Sequence, residues 1–147
     1  MKRDGRGGLS ILVAAENSFI HHYFSSLFAG KHFLTAALSG RQAISELTKR
    51  PYDLVLINEY LPDMGPADLL AAAGRCRPDA KSVVMLTHGE DADRLIARHG
   101  AAGAVIKPFA VADILQVAAR VLPAGSARDL LYEYALTRFS VTPLSGR

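Results

Sequence analysis

Five short apolar runs alternate with five segments of helical period between about Leu9 and Leu122. No other feature constrains the fold as strongly. A run of about four to eight apolar residues, bounded by turn residues, describes a strand covered on both faces. Ser10-Ile-Leu-Val-Ala-Ala15, His32 to Leu38, Asp53-Leu-Val-Leu-Ile-Asn58, Ser82 to Thr87 and Gly103 to Ile106 are such runs. Between them, apolar residues recur at helical spacing. Ile20, Tyr23, Phe24, Leu27 and Phe28 form one face, with Ser18 to cap the start and Gly30 to end it. Ala43, Ile44 and Leu47 mark a second helix closed by Pro51. Leu69, Leu70 and Ala73 mark a third, with Pro66 in its first turn and Pro78 beyond its end. Asp91 to His99, followed by Gly100, is a fourth. Val111, Ile114, Leu115, Ala118 and Leu122 mark a fifth.

Strictly alternating strands and helices require a parallel sheet with helices on both faces. Right-handed crossovers leave few topologies. Five strands fit the α/β, flavodoxin-like, doubly wound order 2-1-3-4-5. Chemistry in such sheets lies beyond the carboxyl ends of the strands, which gathers Ala15, Glu16, Asn58, Thr87 and Lys107 on one rim.

The expected organisation is a flexible N-terminus (1–8), one domain (9–122), a linker (123–126), a C-terminal amphipathic helix (127–139) and a frayed tail (140–147). Half the chain is hydrophobic and 21% is charged, which excludes a disordered tail or low-complexity linker. No apolar run approaches the ~18–20 residues of a membrane span. The basic start is followed by no small-residue cleavage site, so a signal peptide is not expected. The lone cysteine, Cys76, precludes an internal disulfide and fits a reducing, cytoplasmic setting. The 17 basic residues are scattered, so the net +3 does not indicate a nucleic-acid patch.

Four stretches now carry a family resemblance. Ile11 to Asn17, Asp53 to Pro62, Val84 to Thr87 and Gly103 to Phe109, in that order, resemble the landmarks of a response-regulator receiver domain. Receiver domains are the phosphoacceptor modules of two-component signalling. The resemblance covers about residues 9–122. It implies that two acidic residues after the first strand and an aspartate ending the third would hold Mg²⁺. That aspartate would accept a phosphoryl group from a histidine kinase. A threonine hydroxyl and a lysine would meet the bound group, and an aromatic residue on the fifth strand would turn inward. Thr87, Lys107 and Pro108 keep their family identities.

Three positions depart from the pattern. The acidic pair is Ala15-Glu16, the phosphoacceptor position is Asn58, and the switch aromatic is Ala104. A carboxamide is a poor nucleophile, because its nitrogen lone pair is delocalised into the carbonyl. It also lacks the charge that hard divalent cations require. No phosphoryl transfer to Asn58 is expected, and Mg²⁺ binding is expected to be weak or absent. A hydrogen-bonded or ionic link among Lys107, Glu16 and Asn58 is expected in place of the metal. Glu59, next along the strand, should point away from Asn58.

The expected function is that of a pseudo-receiver: a non-enzymatic, phosphorylation-independent signalling module working by protein–protein contact. The partner would be a histidine kinase or another regulator, or a second copy through the fourth- and fifth-helix face or the C-terminal helix. Arg94, Arg98, Leu131, Tyr134 and Phe139 are the candidate contact residues. Residues 123–147 are too few for a DNA-binding domain with its own core, so a stand-alone module is expected. Two alternatives use the same rim: a small-ligand or anion sensor, and a weakly active phosphoacceptor. His21 and His22 are adjacent rather than one helical turn apart, so they suit a solvated helix face better than a metal pair.

Overall fold

The computed structural model describes residues 8–28 and 32–123. The elements run β1 (Ser10–Ala14), α1 (Ser18–Phe28), β2 (Phe33–Ala37), α2 (Gly40–Lys49), β3 (Leu54–Asn58), α3 (Pro66–Cys76), β4 (Lys81–Leu86), α4 (Gly89–His99), β5 (Gly103–Ile106) and α5 (Val111–Val121). All strand pairs are parallel, in the order β2-β1-β3-β4-β5. The order 2-1-3-4-5 is the one expected from the alternation of runs.

Alternate residues of each strand feed two separate cores, as the period of two requires. Ile11, Val13, Leu54, Leu56, Val83, Met85 and Val105 pack under α1 and α5, against Phe24, Phe28, Ile114, Leu115 and Ala118. Leu12, Ala14, Val55, Ile57, Val84 and Leu86 pack under α2, α3 and α4, against Ala43, Leu47, Leu69, Leu70 and Leu95. Every residue of β3 is buried, so the central strand reads as an unbroken apolar run until Asn58.

Local chemistry sets the element ends. The Ser39 hydroxyl accepts from Gln42 N at 3.1 Å and caps α2. Gly100 ends α4 in the left-handed region at φ 85°, where a side chain would be strained. Asp113 reaches back to accept from Ala110 N at 2.8 Å at the start of α5.

The sequence expectations need small corrections. Asn17, not Ser18, caps α1: its Oδ1 accepts from Phe19 N at 2.7 Å. Both residue types can cap, so composition alone did not separate them. β2 is trimmed to Phe33–Ala37, and α4 begins at Gly89 rather than Asp91. Gly30, the N-terminus before residue 8 and everything after Pro123 lie outside the described residues. The expected C-terminal helix, with Leu131, Tyr134 and Phe139, falls there.

Candidate functional site: the rim of the sheet

The rim gathers the carboxyl ends of β1, β3, β4 and β5. Ala15 is buried, and its backbone N–H donates to Ala37 O at 3.0 Å, which carries the sheet ladder one residue past β1. Glu16 is exposed. The His21 ring closes onto this turn, with Nε2 2.5 Å from Ala15 O. A carbonyl only accepts, so Nε2 carries the proton in this bond. The opposite nitrogen, Nδ1, is buried with no partner among the described residues. His22 beside it is exposed.

Asn58 lies at the centre and is only 5% exposed. Its Nδ2 donates to Tyr60 O at 3.2 Å, which ties the side chain to the loop just beyond the strand. Its Oδ1 is buried and accepts from no group among the described residues. An orphaned buried acceptor of this kind costs about 1–3 kcal/mol.

The next residue is the feature that the sequence reading missed. Glu59 keeps the strand ladder, its N–H donating to Met85 O at 3.0 Å. Its carboxylate then crosses to the end of β4. One oxygen accepts from Thr87 N, and the other accepts from the Thr87 hydroxyl at 2.7 Å. Tyr60, largely exposed, stands beside this pair. The neighbouring Glu59 carboxylate, as hydrogen-bond partner and as charge, raises the phenol above its ordinary pKa. Lys107 follows β5, and its N–H donates to Leu86 O at 2.7 Å. Its ammonium lies 5.7 Å from the Tyr60 ring centroid, within cation–π range. Pro108 follows through a cis peptide bond.

The anticipated Lys107–Glu16–Asn58 link does not form. Among the described residues, no ion pair joins Lys107 to Glu16, and the ammonium is drawn to Tyr60 instead. The exposed Glu16 would lose hydration and side-chain freedom by pairing across the rim, for little return at a wet surface. Thr87 likewise does more than satisfy backbone at a strand end, since its hydroxyl serves a carboxylate.

The donors do not suit the Mg²⁺ that the resemblance implies. Ala15 offers no side-chain oxygen, Asn58 is neutral, and the Glu59 oxygens are both engaged by Thr87. Among the described residues, no three His, Cys, Asp or Glu side chains are grouped to hold a metal ion. A hard divalent cation takes about six oxygens, and one exposed carboxylate is a poor beginning.

The loop after β3 is anchored at its other end. Asp63 accepts from Gly40 N at 2.8 Å and Arg41 N at 2.9 Å, at the start of α2. The Arg41 and Gly40 backbone N–H donors hold the Asp63 carboxyl below its ordinary pKa. Ala104 is half-buried on β5 and lines a groove of about 230 Å³ with Phe109, Gln116 and Arg120. Arg94 pairs with Asp91 at 3.2 Å, while Arg98 is exposed on the last turn of α4. Among the described residues, no helix is long and apolar enough to cross a membrane.

No family model matches the chain. The regulatory protein LuxO of Vibrio campbellii, named for luminescence regulation, is 40% identical over 71 residues. That stretch is 48% of this chain and 16% of the relative's own length. Among solved structures, the chemotaxis response regulator CheY4 of Vibrio cholerae is similar at TM-score 0.72 and 21% identity, covering 78% of this chain and 99% of that one. A response-regulator receiver domain protein from Methanospirillum hungatei has TM-score 0.69 and 20% identity over 88% and 98% of the two chains. An adenylate cyclase from Rhodopirellula baltica has TM-score 0.71 and 16% identity over 88% and 92%. The strand order, the two helical layers and these neighbours together establish the CheY-like flavodoxin fold.

Proposed function

We propose that this chain is a receiver-fold module of two-component or related regulation. It signals by protein–protein contact, without phosphoryl transfer to its third strand. One observation carries the reading. The buried side chain ending β3, where such chemistry would need a carboxylate, is the carboxamide of Asn58. Its nitrogen is engaged with Tyr60 O and presents no nucleophilic lone pair. The similarity to LuxO and to solved response regulators supports the signalling setting. The partner would be a histidine kinase or another regulator in the cytoplasm, met on the α4–β5–α5 face. Ile96 on α4 and Ile106 on β5 are exposed apolar residues suited to a protein contact, and Arg98 is exposed on the last turn of α4. A second copy of the chain could dock on the same face.

The test is incubation with acetyl phosphate and millimolar Mg²⁺, followed by intact-mass measurement. The expected result is an unchanged mass. A hydroxylamine-sensitive adduct of one phosphoryl group on the native chain would overturn the proposal.

The orphaned Asn58 Oδ1 favours a second reading, a pocket for a small ligand that brings a hydrogen-bond donor. Thermal shift against phosphate, nucleotides and cyclic nucleotides separates the two, because a ligand raises stability as RT ln(1+[L]/Kd).

A further inference from the structure

We infer that the backbone N–H and the hydroxyl of Thr87 form an oxyanion-receiving site, and that the chain fills it with its own Glu59 carboxylate. The inference rests on the reading of a phosphorylation-independent rim and says what occupies that rim instead.

The geometry is that of a bound anion. Two donors on one residue are matched, one to one, by the two oxygens of a single carboxylate. A simple strand-end contact would satisfy the N–H alone. Here the hydroxyl is enlisted as well, and it donates to the second oxygen at 2.7 Å. Charge-assisted hydrogen bonds of this kind are roughly twice as strong as neutral ones. The partners are 28 residues apart in sequence and meet because β3 and β4 are neighbours in register, with Asn58 opposite Met85. The ladder thus delivers Glu59 to the end of β4 without a flexible loop between them.

The surroundings suit an anion. Lys107, at the end of β5, places its ammonium by Tyr60, and Tyr60 in turn borders the Glu59 carboxylate. The cation and the carboxylate thus border the same ring, without a direct ion pair among the described residues. A free oxyanion such as sulfate or inorganic phosphate would need the same two donors and the same cation. In the native chain, it would have to displace a tethered carboxylate whose effective concentration at the site is very high.

The experiment is amide NMR of the whole chain during titration with sodium sulfate, then with inorganic phosphate. In the native protein, the Thr87 and Lys107 amides are expected to stay still up to millimolar anion. Glu59→Ala should move the Thr87 amide without any ligand and speed its hydrogen exchange about tenfold or more. It should also acquire a saturable shift with either anion. Adding Thr87→Val to that variant should abolish the response. Glu59→Gln, which keeps the side-chain volume, serves if the alanine variant does not fold, and should show the same gain more weakly. Equal anion responses in native and Glu59 variants would overturn the inference, as would variants whose Thr87 amide and exchange rate match the native protein. No covalent step enters this test. A phosphoryl adduct on the native chain would remove the underlying reading, whereas the anion titration removes only the role given to Glu59.

Discussion

At the scale of single residues, the rim pairs most of its polar groups with nearby ones and leaves His21 Nδ1 and Asn58 Oδ1 without a partner among the described residues. Asp63 shows how much one carboxylate can organise. It accepts two backbone N–H groups of α2 from the far side of the β3–α3 loop. Its folded pKa lies below the ordinary value, so its contribution to stability is present above about pH 4 and fades as pH falls through the folded pKa. Asp63→Asn should therefore flatten the loss of stability between about pH 5 and pH 3, measured by urea unfolding at each pH. An acid profile identical to that of the native chain would contradict the assignment. Neither this contact nor the Glu59–Thr87 pair was legible in the sequence. Their partners lie 22 to 28 residues apart, and only the assembled sheet brings them together. By contrast, Ala15, Asn58 and Ala104 could be read directly, because each is a residue type at a strand end or strand position that the apolar pattern already marks.

At the scale of elements, the strands were the most legible part. The inner strands β1, β3 and β4 are buried on both faces, so apolar identity persists along their length instead of alternating, whereas the edge strand β2 is partly exposed. Helix ends were legible where Pro51, Pro66 and Gly100 force them, and less so at α1, where Asn17 and Ser18 are both competent caps. Gly103 opens β5 under α5. A Cβ there would come within 2.9 Å of Val117 Cγ1 and 3.2 Å of Val121 Cγ1. Gly103→Ala should thus push α5 outward and destabilise the fold by about 1–3 kcal/mol, the usual range for overpacking. Chemical denaturation reads the change directly. An unchanged midpoint would mean that α5 shifts freely over β5.

At the scale of the whole molecule, one sheet separates two apolar layers, and neither can form without it. Residues of the same strand serve both cores, as Val83 and Val84 do on β4. The described domain should therefore unfold in one step. Far-UV circular dichroism and tyrosine fluorescence should give coincident urea midpoints. Tyr52, buried in the layer under α2, and Tyr23, on α1 of the other layer, sample opposite faces. Separated midpoints would show that one layer melts first.

The bond between Glu59 and Thr87 also sets what kind of memory such a protein can have. A signal stored as an acyl phosphate lasts until water or a phosphatase breaks it, so its lifetime is a chemical half-life. Two hydrogen bonds to a tethered side chain store nothing: they open and reform far faster than any cell responds. On the proposed reading, with no phosphoryl group to hold, the chain would carry no clock of its own. The duration of its message would be decided by how many copies are made and how soon they are degraded.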